Sequence, residues 1–141
     1  MTIQNCFDGI IEALYQEFGA GYEIYIESVE QGLKEPCFLL SCLSHERELH
    51  VSRLYERSNL FSIQYFPSTI NKQEEFAAVS ERLYDCLEYI TVAGRLLRVQ
   101  DLKGEPSDDI LTFTARYDLF VLKQQEKTMM SDLELITETK G

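Results

Sequence analysis

Positive charge is scarce in this chain. Its 141 residues hold 13 Lys and Arg against 24 Asp and Glu, a formal net charge of −11 with an isoelectric point near 4.6. Gripping a phosphate backbone requires clustered Lys and Arg that displace counterions. The closest cluster, Arg95 and Arg98, is too small for that, so no direct, sequence-specific nucleic-acid binding is expected. Long apolar runs are missing too. No stretch approaches the roughly 20 residues that cross a bilayer, and no membrane partner is expected. The first residues lack the basic and apolar halves of a secretory leader. That points to a reducing cytosol, where Cys6, Cys37, Cys42 and Cys86 stay thiols.

Metal-binding and catalytic patterns are also lacking. No Cys-x-x-Cys knuckle is present. Cys37 and Cys42 lie an odd number of positions apart on a predicted strand, and so face opposite sides of it. His45 and His50 follow in a predicted loop. No metal and no cofactor are expected. Glu23, Glu27, Glu30, Asp108 and Asp109 fall on exposed strand faces or in a loop. General acid–base work needs a partly buried cleft that shifts one pKa. Cys42 with His45 or His50 lacks an orienting Asn or Asp and an oxyanion motif. Gly19-Ala20-Gly21 lacks the Lys-Ser/Thr of a phosphate loop. The chain reads as a non-enzyme.

What remains is a foldable globular sequence. Hydrophobic content of 45% and charged content of 26% are ordinary, and the length suits one domain. Ile3, Phe7, Ile10, Ile11, Leu14, Tyr15 and Phe18 recur at spacings of three and four, which predicts an amphipathic helix. Thr2 or Asn5 can cap its start, and Gly19 or Gly21 stops it. Tyr22 to Val29 alternates as a strand, and Gln31-Gly32 supplies a turn. Pro36 leads into Cys37 to Leu43, apolar on both faces as an interior strand is. Ser44 to His50 is charged and reads as a loop. Val51 to Arg57 and Leu60 to Phe66 read as a hairpin about Ser58-Asn59, ended by Pro67.

Phe76, Val79, Leu83, Cys86, Leu87 and Ile90 predict a second helix, closed by Thr91 to Gly94. Leu96 to Leu102 and Ile110 to Leu122 form a final pair around a Lys103–Asp109 loop. Phe113, Ala115, Tyr117, Leu119 and Val121 share one side of the last strand. The expected fold class is α+β, an antiparallel β-sheet packed against two helices in the order α-β-β-β-β-α-β-β. Residues 1–123 form the expected domain and residues 124–141 a C-terminal arm.

Surface candidates come from residue types that suit contacts with one apolar and one wet edge. Tyr55, Tyr65 and Phe66, with Tyr84 and Tyr89, can serve either the core or a subunit interface. Asp118 is an acid in mid-strand, beside Arg116 and Phe120, and can pair locally or across an interface. Met129, Met130, Leu133 and Leu135 make the arm too apolar for a free tail and too short for its own core.

Three stretches carry a family resemblance. Val-Glu-Gln-Gly-Leu, two residues, then Pro-Cys-Phe (Val29 to Phe38), Ile-Gln-Tyr-Phe-Pro (Ile63 to Pro67) and Ala78 to Ile90 resemble the small tail terminator proteins of long-tailed bacterial viruses and prophages. The likeness runs roughly from Asp8 to Lys123. It implies a structural virion protein assembled in the host cytoplasm. Its partners would be itself, as a hexameric ring, the tail tube protein and a head–tail connector protein. A neck or connector component of the same virion is the neighbouring alternative. Glu30, Gln31, Gly32 and Pro36 belong to the resemblance as turn and strand-entry determinants.

Overall fold

The computed structural model describes residues 2–27, 33–50 and 54–122. Thr2 and Asn5 together open the first helix, α1 (Ile3–Phe18). The Thr2 hydroxyl accepts from the Asn5 N–H (3.1 Å), and the Asn5 side-chain Oδ1 accepts from the Thr2 N–H (2.9 Å), a reciprocal cap. Gly19 ends the helix at φ +80, where a side chain would be strained. Phe7, Ile10, Leu14 and Phe18 form its buried stripe.

Five strands make the main sheet in the order β1-β2-β3-β7-β6: β1 (Glu23–Ile26), β2 (Cys37–Leu49), β3 (Leu54–Phe66), β6 (Asp101–Pro106) and β7 (Leu111–Leu122). The second helix, α2 (Lys72–Cys86), precedes a separate hairpin of β4 (Tyr89–Val92) and β5 (Arg95–Arg98). The class is α+β as expected. The sheet, however, is mixed, because β1 runs parallel to β2, pairing Glu23 with Cys37 and Ile26 with Leu40. Alternation along a strand carries no information about the direction of its neighbour.

The strand inventory departs from expectation in three places. Ser44 to Leu49 is strand, not loop: β2 runs on to Leu49 with residues from Leu43 exposed. A ribbon solvated on both faces has no apolar alternation to reveal it. Ser58-Asn59 is not a turn, since β3 passes straight through it. Asn59 is 1% exposed and donates from Nδ2 to the Tyr117 carbonyl (3.4 Å). The actual reversal lies between β2 and β3, where the His50 N–H donates to the Leu54 carbonyl (2.8 Å). So short a connection joins antiparallel neighbours.

The third departure follows α2. Thr91 belongs to β4, and Ile90 is buried on that strand rather than on the helix. Lys103-Gly104 lies within β6, not a loop. Gly104 pairs with Phe113, and a Cβ there would lie 2.5 Å from that ring. Glycine allows the aromatic ring to cover the strand. Gly9 plays the same part in α1, because a Cβ would meet the Thr91 carbonyl oxygen of β4 at 2.5 Å.

The chain divides into two compact units: Met1–Glu46 with Ser58–Asp118, and Arg47–Arg57 with Leu119–Gly141. The first holds the core. Both helices pack on one sheet face, as shown by Phe7 against Phe61 (5.1 Å between rings), Phe18 against Phe38 (4.9 Å) and the Tyr117 hydroxyl donating to the Leu87 carbonyl. Arg82 of α2 ties the helices together. Its Nε donates to a Glu17 carboxylate oxygen (2.9 Å), and its guanidinium stacks 4.3 Å over Phe18. Among the described residues no helix is long and apolar enough to cross a membrane.

Candidate assembly surface

Strand alternation gives the main sheet a second face. Phe38, Leu40, Phe61, Ile63, Tyr65, Phe113, Ala115 and Tyr117 point into the core and are at most 1% exposed. The residues between them point away: Leu39, Ser41 and Leu43 on β2, Leu60, Gln64 and Phe66 on β3, and Thr112, Thr114 and Arg116 on β7. Among the described residues no helix covers this side. Leu39, Leu60 and Phe66 are half-buried there, and Leu43 is 53% exposed. Apolar side chains on a sheet face that no described helix covers make it a candidate contact surface.

The named surface candidates separate in the structure. Phe66 is half-buried on the open face. Asp118 lies on the same side, its carboxylate 3.3 Å from Arg116 Nε, while Arg116 Nη1 reaches Asp101 Oδ2 at 2.9 Å. Asp118 Oδ1 and Arg116 Nε are buried, and their contact is not aligned as a hydrogen bond. Distance alone therefore makes the pair an ion contact, which is the local pairing considered for Asp118. Tyr65 belongs to the core at 1% exposure, with its hydroxyl donating to the Glu75 carboxylate. Its aromatic ring packs on Phe38 (5.1 Å), so it is a packing residue rather than an exposed contact. Tyr55 lies in the second unit under the Arg47 guanidinium (5.2 Å). Met129, Met130, Leu133 and Leu135 lie outside the described residues, as do Glu30, Gln31 and Gly32.

Groups with chemical potential are committed elsewhere. The Cys42 thiol donates to the Ser44 carbonyl (3.5 Å), and the His50 Nε2 sits 3.0 Å from Glu56 Oε1. Glu48, His50 and Glu56 bring three ligand atoms within 4.8 Å of one another. They could share a divalent ion, although they are solvated and His50 is engaged with Glu56. A groove is lined by Tyr22, Ser68, Thr69, Glu75 and Arg82, among others. Its Glu75 is held by the Ser68–Thr69 segment and its Arg82 by Glu17.

All four cysteines carry thiols. Burial first, then Glu35 and Glu23, push the Cys37 thiol up to about 11. Burial first, then Glu17, push Cys86 up to about 12. Thiolate is the reactive form, so these groups stay inert at neutral pH. Iodoacetamide at pH 7.5 is expected to label the native protein slowly, Cys42 first, and all four thiols rapidly in guanidinium. Fast native labelling of Cys37 or Cys86 would contradict their packing.

The fold is thus a two-layer α+β domain with one sheet face covered by both helices and a second face that no helix among the described residues covers. Residues 6–129 match the phage tail terminator protein family, and the chain belongs to that family. It is accordingly a component of the virion tail that associates with other tail or head proteins. No curated protein matches the chain. One solved structure shares 9% identity over 90% of this chain and 99% of its own, with a TM-score of 0.46.

Proposed function

We propose that this protein forms a closed ring, a hexamer, on the head-proximal end of the polymerised tail tube. There it stops further subunit addition and offers the surface to which the head connector joins. The family match over residues 6–129 carries this reading. The mechanism is stereochemical. A tube end keeps growing while its exposed surface matches the next subunit. A cap that matches on one side and differs on the other ends growth by occupancy. Several weak contacts formed at once hold the ring in place.

The open sheet face supports this reading, as does Ile70, 94% exposed beside Phe66 and Ile110 in one surface hollow. The acidic balance suits a lumen through which DNA slides without being gripped. The arm over residues 124–141 would reach a neighbour. Met129, Met130, Leu133 and Leu135 would each contribute about 1.5–3 kcal/mol if fully buried. Ordering the arm costs roughly 1–2 kcal/mol per residue, so it needs a preformed groove.

Deleting the gene from its viral or prophage genome and imaging the tails tests the reading. Overlong, headless tails of variable length are expected. Tails of normal length that fail to join heads would move the protein to the connector. Intact particles would remove it from tail assembly altogether.

A further inference from the structure

The ribbon formed by the end of β2 and the start of β3 carries opposite charge on its two faces. The His50–Leu54 backbone bond sets its register and places residue 47 across from 57 and residue 48 across from 56. Successive strand side chains alternate between faces. One face therefore presents Arg47, Tyr55 and Arg57. With Val121 these residues line a hollow of about 210 Å3, and the Arg47 guanidinium lies 5.2 Å above the Tyr55 ring. The other face presents Glu48, His50 and Glu56, with the His50 ring 5.9 Å from that of Phe120.

Two features make these faces more than solvated strand. In a chain of net charge −11, two arginines on one ribbon face run against the prevailing charge. Each face also has apolar area beside its charges: Leu49 is 57% exposed and Phe120 is 56% exposed. Arginine and tyrosine set in apolar surroundings are the residue types that dominate protein contacts. The partner that the basic face fits carries paired carboxylates at ribbon spacing. The opposite face of the same ribbon in another copy supplies them.

We propose that in the ring the Arg47–Tyr55–Arg57 face of one subunit docks on the Glu48–Glu56 face of the next. Such a head-to-tail contact uses two different patches, which is the geometry that closes into rings. It also explains how so acidic a protein can self-associate, because the attraction is local while the net charge elsewhere repels. This inference rests on the ring reading above.

The test uses two full-length double variants, Arg47→Glu with Arg57→Glu and Glu48→Arg with Glu56→Arg. Their masses are measured by light scattering at about 0.1 M salt, where screening is incomplete. Each variant alone is expected to self-associate at least about tenfold more weakly than the wild type. A 1:1 mixture is expected to regain the wild-type mass, because every contact in an alternating ring is again complementary. Misfolded chains would not be rescued by mixing. Undiminished rings from either variant, or a mixture that stays dissociated, would overturn the proposal and leave the ring reading standing. Normal variant rings that fail to cap tubes would also overturn it, by assigning the faces to a tube or head partner. A wild type that stays monomeric throughout would remove the ring reading itself.

Discussion

Replacing Glu75 with Ala is expected to cost about 2–3 kcal/mol of stability, a large loss for a substitution of a partly solvated helix residue. The N-cap of α2, Asn71, makes no side-chain capping bond. Glu75, in the first turn, instead anchors the Ser68–Thr69 segment that leads into the helix. Its carboxylate accepts from the Thr69 hydroxyl (2.6 Å), the Ser68 N–H (3.0 Å), the Thr69 N–H (3.1 Å) and the Tyr65 hydroxyl. Removing it leaves the hydroxyl of a residue 1% exposed without its acceptor. In an apolar setting such a stranded donor is the larger part of the cost. Adding Tyr65→Phe to Glu75→Ala removes that donor, so the double variant should lose less than the sum of the single losses.

Acid titration gives an independent check on the same group. Burial by itself would raise the Glu75 pKa. The hydrogen bonds from Thr69, Tyr65 and Ser68 outweigh it and hold the carboxyl below its usual value of 4.5. A lowered folded-state pKa stabilises above the unfolded value, and that contribution is lost as pH falls through the folded value. The stability gap between wild type and Glu75→Gln should therefore be full at neutral pH and close as pH drops below 4.5. A gap that stays constant down to strongly acid pH would show that Glu75 is not held as described.

Phe38→Ala is expected to be more damaging, by about 3–5 kcal/mol. Phe38 is 0% exposed and joins an aromatic cluster with Phe18 (4.9 Å), Tyr65 (5.1 Å) and Tyr22 (5.9 Å). These contacts tie α1 to β2 and β3. A deletion there empties the centre of the layer, where neighbouring strands cannot collapse to fill it. Against a typical domain stability of about 5–15 kcal/mol, the loss is a large fraction of the total. Phe38→Leu, which keeps most of the volume, should cost under about 2 kcal/mol. The chain has no tryptophan, so urea unfolding is best followed by far-ultraviolet circular dichroism. A Phe38→Ala midpoint within error of wild type would contradict the cluster.

Where a buried stripe is long and regular, the residues announced it. The Phe7–Ile10–Leu14–Phe18 stripe, the Phe76–Val79–Leu83 helix and the alternation of Phe113 to Leu119 follow from periodicity, while the structure chose Thr2 and Gly19 from the two candidates at each end of the first helix. The match of residues 6–129 to the tail terminator family agrees with the motifs at Val29 to Phe38, Ile63 to Pro67 and Ala78 to Ile90. The ribbon from Ser44 to Leu49 was not legible, because a strand exposed on both faces has the composition of a loop. Asn59 reads as a turn residue until the Tyr117 carbonyl is seen beside it. Lys103-Gly104 reads as a break until Phe113 is found covering the glycine.

The sequence by itself determined the class of the fold, the two helices, the central core residues and the family. These depend on local spacing and on residue type, which a linear string contains. Only the tertiary structure decided that β1 runs parallel to β2, that Tyr65 is spent on Glu75 and the core, and that Arg47 and Arg57 share a face opposite Glu48 and Glu56. Those facts depend on which strands become neighbours and in what register. Residues far apart in the chain fix such pairings jointly, through hydrogen bonds and packing that no local window of sequence contains.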